Sequence, residues 1–191
     1  MKILLLGVSC VGKTTVGTIL SNRLGWEFCD LDEEVKTRRG TTLEVFVNTG
    51  RLIDRDRIRG EIIKDIIQKD EDLVLAVTPI SFVESFQESL QRDDIILIEL
   101  YDTPYHIFQR LVFSDEEDNI YKDEIYKTVH KTHYMKEIQE DLKYYGKVYA
   151  SLGADRFNIN NDSPEKVVER IIEKYGLNRS HKRENRLQKS Q

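Results

Sequence analysis

The residues with the clearest chemistry stand near the start of the chain. Gly7-Val8-Ser9-Cys10-Val11-Gly12-Lys13-Thr14 sets two glycines, a lysine and a hydroxyl at the spacing G-x-x-x-x-G-K-[ST]. Glycines let the backbone curl until successive N–H groups face one anion, and the following helix adds its N-terminal dipole. The lysine is a mobile cation for outer phosphates, and the threonine hydroxyl is a hard ligand suited to Mg2+. Gly7, Cys10, Val11, Gly12, Lys13, Thr14 and Thr15 are therefore expected to hold ATP, with Lys13 also acting on the transferred group.

Two carboxylates follow at the end of the second apolar run. Parallel α/β sheets bind ligands at the carboxyl ends of their strands, where a phosphate loop also sits. Asp30 and Asp32 fall there. The third apolar run, Leu73 to Thr78, has no acid of its own, so the metal shell is expected to draw on Thr14 and Asp30. Asp32 is left to orient an acceptor hydroxyl. The competing reading makes both aspartates caps for the helix beginning near Glu33.

Strands and helices alternate to position these groups. Short apolar runs at Ile3–Leu6, Trp26–Cys29, Leu73–Val77, Ile95–Leu100 and Arg156–Ile159 read as five strands. Helical periodicity begins at Lys13, and short helices are expected over 33–39 and 42–47. A long amphipathic helix carries Ile58, Ile62, Ile63, Ile66 and Ile67, and a crossover helix is expected through Phe82, Phe86 and Leu90. Thr103-Pro104 opens a helix to about Phe113, residues 114–119 form an acidic mobile loop, and one helix spans about 122–149. Ser163-Pro164 starts the last helix. The pattern predicts a five-stranded parallel sheet with helices on both faces and a helical lid.

Composition narrows the classes. Charged residues make up 33% of the chain and the net charge is -5, which argues against a nucleic-acid binder. A kinase domain over 1–177, with lid and following helix at about 111–149, is expected ahead of a basic disordered tail at 178–191. Cys10 and Cys29 match no metal or redox spacing, as in a cytoplasmic protein. The apolar start breaks at Gly7, short of a secretion signal, and no run suits a membrane helix. The expected partner is a small molecule rather than a nucleic acid or membrane, and the expected state is a monomer or weak dimer. The His130–His133 pair lacks a third metal ligand.

The phosphate loop, Leu24-Gly25, Phe28-Cys29-Asp30-Leu31-Asp32-Glu33-Glu34, Gly40, Phe46, Gly50 and Arg55 together resemble the shikimate kinase family. That resemblance implies the P-loop fold of nucleoside monophosphate kinases and transfer of the ATP γ-phosphoryl group to shikimate. It further implies Asp30 for the metal, Asp32 for the substrate, Arg55 for the substrate carboxylate and Arg110 stacked on adenine. Phe157 to Pro164 resembles the loop that backs the adenine. Gluconate kinases are similar over part of the same stretch, including Leu52-Ile53-Asp54-Arg55-Asp56-Arg57. For Arg55 and Arg57, a solvated helix face is the alternative.

The chain departs from the family in two places. Val77-Thr78-Pro79 stands where these kinases carry a glycine triplet, and no arginine occurs between Arg110 and Arg156, where the family supplies lid and substrate arginines. Lys122 or Lys127 would have to substitute in the lid. Shikimate held by altered contacts, a sugar acid such as gluconate, a nucleoside monophosphate, and a regulatory nucleotide binder without turnover all stay open at this level.

Overall fold

The computed structural model describes residues 1–177. The basic tail expected at 178–191 lies outside the described residues. Five parallel strands form the main sheet: β1 (Lys2–Leu6), β2 (Glu27–Asp30), β3 (Leu73–Ala76), β4 (Ile95–Tyr101) and, last in the chain, β7 (Asp155–Asn158). Their order across the sheet is β2-β3-β1-β4-β7. Every residue of β1 and β3 is buried, as expected of central strands covered on both faces.

Alternation along β1 divides the core. Ile3 and Leu5 pack with Val16 and Leu20 of α1 (Lys13–Leu24) and with Val168 and Ile171 of α8 (Pro164–Lys174). Leu4 and Leu6 point the other way, onto Ile63, Ile66 and Ile67 of α4 (Leu52–Gln68). Between β2 and α4 lie α2 (Leu31–Arg39) and α3 (Leu43–Val47).

The crossover helix expected through Phe82, Phe86 and Leu90 is only a 3-10 turn, Gln87–Leu90. Pro79 offers no amide. The amides of Ser81 and Phe82 donate to the Asp56 carboxylate, so the chain is tethered rather than coiled.

The helix begun at Thr103-Pro104 also ends early. As α5 it covers Pro104–Gln109. The expected lid then opens with a two-stranded antiparallel hairpin, β5 (Phe113–Ser114) and β6 (Ile120–Tyr121), in place of the mobile loop. Asp115 holds its turn by accepting the Glu117 and Asn119 amides at 3.0 and 2.8 Å. The single helix expected at 122–149 is two, α6 (Glu124–Val129) and α7 (Lys131–Ser151). The Asp123 side chain caps α6 through the Tyr126 amide, which sets its start.

Candidate active site

The sheet order places the carboxyl ends of β1, β2 and β3 side by side, and the expected phosphate loop leaves β1 there. Gly7 sits at φ +139°, and a Cβ on it would lie 2.5 Å from the Leu100 carbonyl oxygen, so only glycine lets the loop pass β4. Gly12, at φ +107°, turns the chain into α1, whose N-terminus points back along the loop. Inside the curl, Lys13 Nζ donates to the Gly7 and Val8 carbonyls, both at 2.9 Å. Desolvation beneath the loop pushes this ammonium down to about 8, against the opposing pull of Asp32, Cys10 and Asp30. Val11 is buried under the loop, Cys10 is half-buried, and Thr14 and Thr15 face out.

Asp30 does two jobs with its two oxygens. Oδ1 caps α2 by accepting the Asp32 amide at 3.0 Å, and Oδ2 accepts the Thr14 hydroxyl at 2.7 Å. Of the two aspartates, Asp30 alone caps the helix, and its second oxygen turns to the hydroxyl at the start of α1. Asp32 follows in the first turn of α2. Burial raises its carboxyl above the usual range, aided by Asp30 and opposed by Arg59, Lys13 and a hydrogen bond from Thr78. Its Oδ1 is buried with no hydrogen-bond partner.

Lys13, Thr14, Cys10, Asp30 and Asp32 line one cavity of about 500 Å3. The hairpin roofs it with Phe113, Ser114, Asp118 and Ile120. Asp118 ties this roof to the opposite wall, accepting the Leu43 amide at 2.7 Å and the Glu44 amide at 3.3 Å, with Lys36 at 3.8 Å.

Of the other expected residues, Gly7, Val11, Gly12 and Thr15 build the loop and the start of α1 without lining this cavity, and Arg55 and Arg110 lie elsewhere. Arg55 is not among the cavity's lining residues; it donates to the carbonyls of Thr49 and Gly50 at 3.3 and 2.8 Å, while its Nε is buried and unpartnered. Arg110, at the end of α5, is held by Asp102 at 2.6 Å and Asn161 at 3.3 Å. Burial alone would raise the Asp102 carboxyl, but hydrogen bonds from Arg110, His106 and the Thr103 amide hold it below its usual range. That guanidinium is thus anchored beside the 157–164 loop.

Sequence reasoning missed four features. Thr78, Lys36 and Asp118 line the cavity, and a buried pair, Asp56 and Arg59 at 3.2 Å, stands behind it. The pair was detectable, since 56, 59, 63 and 66 share the apolar face of α4. Thr78 followed from its place after β3. Asp118 reaches its partners across 75 residues, and no local pattern announces that. Lys127, weighed as a replacement lid cation, is buried against Glu124 at 2.9 Å, with its ammonium over the Phe108 ring.

A parallel sheet of this order, with the loop and paired carboxylates at its carboxyl edge, defines a P-loop kinase. The family model for shikimate kinase matches residues 9–176, and the chain belongs to the shikimate kinase family, phosphotransferases that act on a hydroxyl group. The shikimate kinase of Thermodesulfovibrio yellowstonii is 26% identical over 175 residues, 91% of this chain and 94% of that enzyme. That of Aquifex aeolicus is 37% identical over 75 residues, 39% of this chain and 44% of that enzyme. Among solved structures, shikimate kinase from Acinetobacter baumannii in complex with shikimate superimposes with a TM-score of 0.70 at 24% identity, covering 94% of both chains.

Proposed function

We propose that this protein transfers the γ-phosphoryl group of ATP to a hydroxyl of a small anionic metabolite, shikimate being the first acceptor to test. The observation that carries the reading is the convergence of Lys13, the Thr14–Asp30 pair and the unpartnered Asp32 oxygen on one roofed cavity. The loop amides and Lys13 bind the phosphates. Lys13 exchanges two carbonyl acceptors for phosphate oxygens, whose negative charge favours its protonated form in the bound state. Arg110, fixed by Asp102, presents its guanidinium plane to the adenine.

The Thr14 hydroxyl and Asp30 carboxylate are hard oxygen donors already 2.7 Å apart, and they fit a divalent cation that takes its other ligands from phosphates and water. Among the described residues no group of three or more His, Cys, Asp or Glu could cage a metal, which is compatible with such a shared shell. Mg2+ bound there supplies neutralisation of charge on the transferring phosphoryl group. Asp32 Oδ1 accepts the acceptor's hydroxyl hydrogen and aims that oxygen at the γ-phosphorus. The hairpin roof excludes water, which would otherwise compete as acceptor. By the family resemblance Arg55 is the guanidinium that meets the acceptor's carboxylate, which requires it to leave the Thr49 and Gly50 carbonyls that its NH1 holds outside the cavity.

One observation favours a second reading, a nucleotide-binding regulator without turnover. The lid segment has no arginine, and Lys127 is buried against Glu124. A missing transition-state arginine costs on the order of 10³–10⁵ in rate in related phosphoryl transfer. Magnesium-dependent ADP release, measured with shikimate, gluconate and nucleoside monophosphates in parallel, separates the two. Stimulation by one acceptor supports the kinase; tight ATP binding without acceptor-stimulated release supports the regulator.

A further inference from the structure

We propose that Tyr149 is a positioning residue of the phosphate loop, its hydroxyl holding the Gly7 carbonyl in place when Lys13 leaves that carbonyl for phosphate. This rests on the reading of Lys13 given above. The Tyr149 hydroxyl donates to the Gly7 carbonyl at 3.4 Å, across 142 residues of chain. The same oxygen accepts Lys13 Nζ at 2.9 Å, and Nζ also donates to the Val8 carbonyl at 2.9 Å. Of these two carbonyls, that of Gly7 therefore has a second donor already beside it.

Packing makes Tyr149 a rigid arm. It belongs to the last turn of α7 and is buried in the core cluster that holds Leu4 and Leu6 of β1. Its ring stacks on that of Tyr145, 5.9 Å between centroids. The Leu152 and Ala154 amides donate to its backbone carbonyl at 3.1 and 3.0 Å, which fixes the helix end just before β7. Burial pushes the hydroxyl far above the usual tyrosine range, so it stays protonated and able to donate. Gly7, by contrast, is buried but at φ +139° has a glycine's freedom to turn.

In the free protein Lys13 satisfies the Gly7 carbonyl, and the longer bond from Tyr149 adds little. Once phosphate draws the ammonium away, a buried carbonyl left unpaired costs free energy, and one turned toward phosphate oxygens repels them. The Tyr149 hydroxyl avoids both, because it is the donor that remains. Tyr149→Phe deletes that donor and keeps the ring.

Two measurements on the full chain test this. The first uses no nucleotide: chemical denaturation of the parent, Tyr149→Phe, Lys13→Met and the double variant. Each single variant leaves the Gly7 carbonyl one donor, and the double variant leaves it neither. The double variant should therefore unfold about tenfold more readily than the two singles together predict. The second is calorimetric binding of ATP with Mg2+. Tyr149→Phe should raise Kd about tenfold while its nucleotide-free stability stays near the parent's. Tyr145→Phe, which trims the neighbouring hydroxyl of the same stack, should bind like the parent.

Additive stabilities in the denaturation cycle overturn the proposal. So does a Tyr149→Phe variant that binds ATP as the parent does, or one already much less stable without nucleotide, since the hydroxyl then serves the fold. An equal loss of affinity in Tyr145→Phe assigns the effect to the stack and overturns it too. If the parent itself fails to bind ATP, the reading of Lys13 fails instead, and the nucleotide-free cycle still decides whether Tyr149 holds the loop.

Discussion

Asp118, at the tip of the β5–β6 hairpin, accepts the Leu43 amide at 2.7 Å and so caps α3 from the far side of the cavity. The roof and the wall beneath it are joined by one side chain. Thr42 also caps α3, through the Val45 amide, so the helix keeps one cap if the other is lost.

Asp118→Ala should therefore loosen the hairpin more than the helix. Loss of a capping carboxylate costs about 1 kcal/mol. Hydrogen exchange at 113–121 should accelerate several-fold, with exchange in β1 and β3 unchanged. Equal acceleration throughout the sheet would show that Asp118 supports global stability rather than the roof.

Lys13 gives a proton-linked signature. Its depressed ammonium is largely neutral above pH 8 in the free protein, whereas the unfolded chain stays protonated up to about 10.5. The unfolded state thus binds more protons between about 8 and 10.5, and the nucleotide-free protein should gain stability as pH rises through that window. Phosphates beside Lys13 raise it again, so ATP binding at pH 8.5 should take up part of a proton. Calorimetry in buffers of different ionisation enthalpy measures that uptake, and Lys13→Met should abolish it.

The Asp56–Arg59 pair is a structural commitment behind the site. Asp56 is fully buried and accepts from Arg59, Ser81 and Phe82. Asp56→Ala strands a buried guanidinium and two amides, which should cost about 3–5 kcal/mol. Chemical denaturation reads this directly. Asp56→Asn, which keeps the acceptor oxygen, should lose less.

How legible was all this in the sequence? The five strands and the phosphate loop were, because buried central strands and a glycine-bounded anion cradle leave strong local patterns at Ile3–Leu6 and Gly7–Thr14. The convergence of Lys13, Thr14, Asp30 and Asp32 followed from one rule about strand ends. The lid was not legible. Its acidic stretch reads as a solvated loop until Asp115 and Asp118 are seen accepting backbone amides, one set within the turn and the other 75 residues away. The crossover near Phe86 failed for a similar reason: Asp56 takes the Ser81 and Phe82 amides from a distance, which overrides helical spacing. Arg55 had the spacing of a cavity residue, yet its guanidinium rests on the carbonyls that end α3's loop.

The most direct measurement is a single-turnover reaction with γ-labelled ATP, Mg2+ and shikimate, following where the label goes. The account expects it on the acceptor with the parent protein, and retained in ATP with Asp32→Asn although that variant still binds nucleotide. Label transferred equally by both proteins, or passed only to water, would contradict the central claim.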